Sequence, residues 1–171
     1  MGENICSPCA MCCSGNLFSR VPIEAKEQAV LDDRANVFMH KGNMRMSLPC
    51  QLLKSNGDCS VYENRPGGCQ SYRCDLLRKL DSDAVSGEVA LDIIEEAKTC
   101  VARLKSDISK ALPESMALDF EQPIYRVVHG MRDARKMYPD LLNSFWADQA
   151  ELHFSILIDI VRANFEENYL K

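Results

Sequence analysis

The chain has 171 residues, 46% of them hydrophobic and 26% charged, and a formal net charge of -5. That length suits one domain, or a small domain with a helical partner region. The acidic balance lacks the electrostatic footprint of a nucleic-acid binder. No apolar run is long enough to cross a bilayer. Met1-Gly2-Glu3-Asn4-Ile5-Cys6 has neither the basic segment nor the apolar stretch of an export signal, so a cytoplasmic location is expected.

The first part, residues 1–80, is rich in Cys, Gly, Pro and Asn, and its regular elements are expected to be short. Pro22 suits a first helical turn, and Ala25, Ala29, Val30 and Val37 follow near helical spacing, which predicts a helix from Pro22 to about Phe38. Met46 to Leu53 reads as extended. Ser55-Asn56-Gly57-Asp58 is a turn signal, and Cys59-Ser60-Val61-Tyr62 reads as a returning strand with Tyr62 in the core. Cys50 and Cys59 would then flank a short β-hairpin, and Arg65-Pro66-Gly67-Gly68 makes a second tight turn.

The second part, residues 81–171, reads as helical. Ser86 can cap a helix carrying Val89, Ile93, Ala97, Cys100, Leu104, Ile108 and Ala111, which Pro113 stops. A second helix starts near Pro123, carries Ile124, Val127, Val128, Met131 and Ala134, and ends at Tyr138-Pro139. Asp140 can cap a third with Leu141, Leu142, Phe145, Trp146, Leu152, Ile156, Leu157, Ile160 and Val161, of which Phe145 and Trp146, with Phe154, suit a partner surface or core packing equally. The expected fold class is mainly α: an irregular, metal-organised N-terminal cysteine domain with a short hairpin, packed on a C-terminal helical bundle.

Nine cysteines break the ordinary composition. Cys6, Cys9, Cys12, Cys13, Cys50, Cys59, Cys69 and Cys74 fall in the first 74 residues, and Cys100 stands apart. A disulfide framework calls for an even count and a secreted chain. Eight clustered thiols in a reducing compartment point instead to metal, and all eight are candidate ligands. In Cys6-Ser7-Pro8-Cys9-Ala10-Met11-Cys12-Cys13, two intervening residues let successive thiolates reach one centre. Bacterial ferredoxins place three thiolates at this spacing on a [4Fe-4S] cluster, with a fourth from elsewhere. Zinc sites use the same turn. Neighbouring side chains diverge, so Cys12 and Cys13 are expected to face different centres, or one to face metal while the other supports it. The eight thiols could serve two four-thiolate sites, or one cluster with several spare, redox-active thiols. Zinc and iron both remain open. Arg65 and Arg73 could offset thiolate charge beside the metal. Cys100 lies in an apolar helical stripe and reads as core, and His40 as a surface histidine.

From Cys59 the chain runs Cys-Ser-Val-Tyr-Glu-Asn-Arg-Pro-Gly-Gly-Cys69-Gln-Ser-Tyr-Arg-Cys74. With the N-terminal C-x2-C-x2-CC, this resembles the CxxCxxCC cysteine-cluster family of zinc- or iron-chelating domains. Gln70 stands where family members often have Arg. The resemblance covers Cys6 to Cys74 and implies a metal-binding role for its eight cysteines. One branch, the flagellin lysine methylases, joins such a cluster to methyl transfer from S-adenosylmethionine. This chain has no glycine-rich strand-turn-helix signature for that cofactor.

Three roles therefore compete. The first is a structural or accessory module whose metal shapes a surface for a protein partner. The second is an iron-sulfur enzyme with redox or group-transfer chemistry. The third is metal storage or delivery. The sequence shows no catalytic dyad, phosphate loop or dinucleotide fingerprint, which favours the first and leaves enzymatic activity open.

Overall fold

The structure, a computed structural model, describes residues 5–31, 34–116 and 118–166. The Met1–Asn4 segment and the side chain of Val30, both used above, lie outside the described residues. The fold is mainly α. In chain order it runs α1 (Cys6–Cys9), β1 (Arg20–Pro22), α2 (Gln28–Leu31), β2 (Val37–His40), β3 (Asn43–Ser47), α3 (Gly67–Ser71), α4 (Asp75–Asp81), α5 (Gly87–Ala111), α6 (Ile124–Met137) and α7 (Ser144–Asn164). No helix among the described residues is long and apolar enough to cross a membrane.

The helix expected from Pro22 to Phe38 does not form. Pro22 ends β1, a 3-10 turn covers Ala25–Glu27, α2 is a single turn, and Val37 and Phe38 belong to β2. Strand pairing wins here because it buries one face. Val21 and Val37 both oppose Met46 of the central strand β3, above a small core with Leu31, Leu48 and Leu52. The sheet is antiparallel in the order β1-β3-β2. The true hairpin is thus β2–β3, turning at Lys41-Gly42, and not the one expected over 46–62. The Asn56-Gly57 turn does exist, but its arms make a single bridge, Leu53 to Cys59. Tyr62 opens a 3-10 turn rather than lying on a strand, and is half-buried.

The helical expectations hold better. Ser86 caps α5, its side chain accepting a bond from the Val89 N–H. α5 packs along α7, with Ala97, Leu104, Ile108, Ala147, Ala150, Phe154 and Leu157 buried between helices. α7 starts later than expected. Pro139–Leu141 is a 3-10 turn, and Asn143 rather than Asp140 is the cap, accepting from Trp146 N–H at 3.3 Å. Leu141, Leu152 and Ile156, which the apolar pattern puts with the core, are exposed, and so is Phe145, which that pattern leaves open to core or surface. The helix is apolar on most sides, so periodicity alone could not choose its face. Alanines at 147 and 150 allow the close approach that does.

Arg132 ties α6 to α7 through two bonds to the Glu151 carboxylate, at 2.7 and 2.6 Å. That bond holds the Glu151 carboxyl below the ordinary glutamate range. A depressed folded value means the contribution is present above the unfolded pKa and lost as pH falls through the folded one. Glu151→Gln should therefore cost about 0.5–1 kcal/mol at neutral pH, screened because the pair is partly exposed. The gap to wild type should close in acid, read from melts at neutral pH and below pH ~4.

Candidate metal centre

Local structure brings the thiols together. α1 is one helical turn, so Cys6 and Cys9 sit a turn apart, and the Ala10 N–H returns to the Cys6 carbonyl at 2.9 Å. Ala10 then takes a left-handed conformation at φ 50°, which turns the chain back through Met11 to Cys12 and Cys13. The Cys13 carbonyl accepts the Cys50 N–H at 2.7 Å, pinning the second cysteine segment to the first. Gly57, at φ +89°, completes this packing. A side chain there would meet the Ser7 carbonyl at 2.7 Å, so only glycine lets the turn carrying Cys59 lie against α1. Gly68 does the same for α3, which carries Cys69 over Pro22 of β1. Cys74 caps α4, its sulfur accepting from the Leu77 N–H at 3.4 Å.

All eight clustered cysteines line one cavity of about 200 Å³. Its other walls include Met11, Phe18, Tyr62, Tyr72 and Phe165, and Arg65 is the one charged residue among them. No carboxylate or imidazole lines it among the described residues, so the available donors are soft sulfurs that suit zinc or iron rather than calcium or magnesium. The thiols ring the cavity. Among the described residues no three Cys, His, Asp or Glu side chains stand close enough to hold one ion as they lie.

The thiols fall into two overlapping neighbourhoods. The charges nearest Cys9 include Cys74 and Cys6, and those nearest Cys12 are Cys9, Cys13, Cys74 and Cys6. Cys13 instead faces Cys50, Cys69 and Cys59 before Cys6. Cys69 in turn faces Cys50 and Cys59. So Cys12 and Cys13 have different strongest thiol neighbours, while Cys13 also stands among those of Cys12. Burial pushes Cys9 and Cys13 up to about 12 and Cys69 to about 11. Backbone N–H groups work the other way, from Met11 onto Cys9, from Leu52 and Leu53 onto Cys50, and from Leu77 and Leu76 onto Cys74. Donors aimed at sulfur favour the thiolate that a metal requires. The donor set and its backbone cradle fit a thiolate-bound metal.

A family model described as "CxxCxxCC: Putative zinc- or iron-chelating domain" matches residues 5–101. The chain belongs to the CxxCxxCC family. No curated protein and no solved structure matches it. In this CxxCxxCC chain the matched span holds all eight cysteines that surround the cavity, and Cys100 besides.

Arg65 sits with its guanidinium 4.1 Å above the Tyr62 ring. Its Nε is buried without a hydrogen-bond partner, and Cys6 and Cys69, one from each neighbourhood, are among its charge neighbours. Arg73 does not line the cavity. It pairs with Asp81 at 3.5 Å and reaches Cys6 only through its field. His40 ends β2, away from the thiols. Cys100 is buried in the helical core, its thiol 3.2 Å from the His153 carbonyl. His153 meets the buried Asp107 at 2.6 Å, a helix-to-helix contact that the sequence reading did not single out. Cys100→Ser should keep full metal content and cost about 1 kcal/mol of stability. Elemental analysis beside a denaturant melt checks this, and metal loss would place Cys100 in the centre.

Sequence reading also missed the aromatic walls. Phe18 meets Tyr72 edge-on at 4.9 Å, and Phe165, from just past α7, closes the cavity. Tyr72 lies two residues before Cys74, which is a usable signal. Phe165 has none. It is held by its backbone, its carbonyl accepting from the Asp75 N–H at 3.1 Å.

Proposed function

We propose that the chain is a zinc- or iron-chelating module with two four-thiolate sites. Cys6, Cys9, Cys12 and Cys74 would hold one, and Cys13, Cys50, Cys59 and Cys69 the other. The observation that carries this is that all eight thiols line one cavity with no carboxylate or imidazole among its described walls. The different strongest thiol neighbours of Cys12 and Cys13 suggest the division. Four thiolates close a tetrahedral site and leave no position for substrate, which favours a structural role. The metal would then fix the irregular N-terminal part and present a surface to a protein partner. A reducing cytoplasm is the compartment that keeps eight thiols available for it.

A second reading rests on one feature. Cys6, Cys9 and Cys12 at two-residue intervals, grouped with remote Cys74, have the ligand pattern of a ferredoxin-type [4Fe-4S] cluster. That would allow redox or group-transfer chemistry at the first site.

Elemental analysis and an absorption spectrum on protein purified without oxygen test both. Two equivalents of zinc in a colourless protein support paired closed sites. Iron with broad absorbance near ~400 nm moves the first site to the cluster reading. Protein without zinc or iron, or metal that persists after Cys9 and Cys69 are both replaced by Ser, would overturn the proposal.

A further inference from the structure

The small sheet has one covered edge and one open edge. β1 is covered by α3, where Gly68 lies against the Pro22 carbonyl. β2, on the opposite side, pairs only with β3 among the described residues. Its hairpin turns through Lys41 and Gly42, both at positive φ of 49° and 76°. In such a two-residue hairpin the flanking pair, His40 and Asn43, exchanges both hydrogen bonds, and bonded pairs then alternate. Phe38 is thus bonded to Arg45, and Val37 and Met39 turn their N–H and C=O groups outward. The pattern agrees on the far side of β3, where the Met44 carbonyl accepts from the Ile23 N–H at 3.2 Å. Val-Phe-Met-His carries none of the lysine or proline that usually guards an open edge, and Met39 is 64% exposed.

The sheet face beside this edge is cationic. Strand alternation puts Arg45 and Arg20 on the face shared with Phe38 and His40, opposite the buried Met46. His40 has Arg20, Lys41 and Arg45 around it, and Tyr125 places Arg126 of α6 beside Arg20. Arg73, Arg78, Arg132 and Arg135 each pair with a carboxylate. Arg20, Lys41, Arg45 and Arg126 pair with none among the described residues, and the Arg45 Nε is buried without a partner. These cations, on β1, the hairpin turn, β3 and α6, make one side of the sheet locally positive in a chain of net charge -5.

We propose that the β2 edge and its cationic face dock an extended acidic segment of a protein partner, which adds as a strand beside Val37–His40. Backbone bonds to Val37 and Met39 would supply register, and its carboxylates would meet Lys41 and Arg45 beside the edge, with Arg20 adding its field from across the sheet face. The inference rests on the accessory-module reading, and it names the partner's chemistry.

The test uses the metal-loaded 171-residue chain and a fluorescent peptide of alternating Val and Glu. Saturable binding is expected, with amide resonance shifts at Val37 and Met39. Binding should weaken roughly tenfold in the Arg20→Glu/Lys41→Glu double variant. It should weaken likewise in Met39→Pro, which removes an outward N–H without touching a β2–β3 bond. Metal content on the same samples separates this question from the centre itself. Should the proline variant fail to fold, the double variant decides. Absence of saturable binding to the wild-type chain, equal binding by the double variant, or tighter binding of a thymidine oligonucleotide than of the peptide would each overturn the inference.

Discussion

Cys12→Ser should lose one metal equivalent and Cys13→Ser the other. The two residues are neighbours, so a shared centre would make their variants alike. Their strongest thiol neighbours differ instead, Cys9 for Cys12 and Cys50 for Cys13, although Cys13 itself stands next for Cys12 and both feel Cys6. The double variant should lose both metals. A structural zinc site supplies on the order of 10 kcal/mol at neutral pH. A single missing thiolate should therefore cost several kcal/mol and lower the melt far beyond an ordinary surface change. Native mass spectrometry counts the ions directly. If each single variant loses both ions, or neither does, the division into two sites is wrong.

Stripping the metal from the wild-type chain should unfold one region and spare another. Residues 5–74 are held by a cavity lined with thiols and by short elements, and these hydrogen bonds should become open to exchange. α5 and α7 bury their own shared core and should keep slow amide exchange. The same titration carries a proton signature. Burial keeps Cys9, Cys13 and Cys69 neutral well past pH 7, so every thiol that ligates metal must first release its proton. Filling both sites should release about eight protons, and the apparent affinity should fall as pH falls. Indicator-dye titration in weak buffer measures the release. Loss of α5 and α7 protection together with that of residues 5–74 would show one cooperative unit instead.

Much of this centre was legible in the chain because thiol spacing is local. Two residues between Cys6 and Cys9 put them one helical turn apart, and Cys12 and Cys13 follow just past the left-handed Ala10. The long helices were legible for a similar reason, since Ser86, Pro113 and Pro123 mark their ends by backbone chemistry. What failed was non-local. The helix expected from Pro22 to Phe38 gave way to strands because Met46, further along the chain, offered Val21 and Val37 a shared buried face. Lys41-Gly42 is a weak turn signal beside Asn56-Gly57, so the hairpin was placed one segment too late. On α7 the apolar residues outnumber the places available inside. Only contact with α5 decides that Phe154 and Leu157 are buried while Phe145 and Leu152 are exposed. Phe165 could not be assigned to the metal cavity by any local rule.

That last residue sets an order in time. The ribosome delivers all eight thiols by Cys74, but the wall that Phe165 provides arrives 91 residues later (165 minus 74). At ordinary synthesis rates the gap is roughly 5–18 s. Throughout that interval the nascent thiols have no finished enclosure. A metal delivered early meets thiols that lack this wall, and one delivered late meets the finished cavity. The cell's supply of zinc or iron at the ribosome, and not affinity alone, would then decide which ion this centre carries.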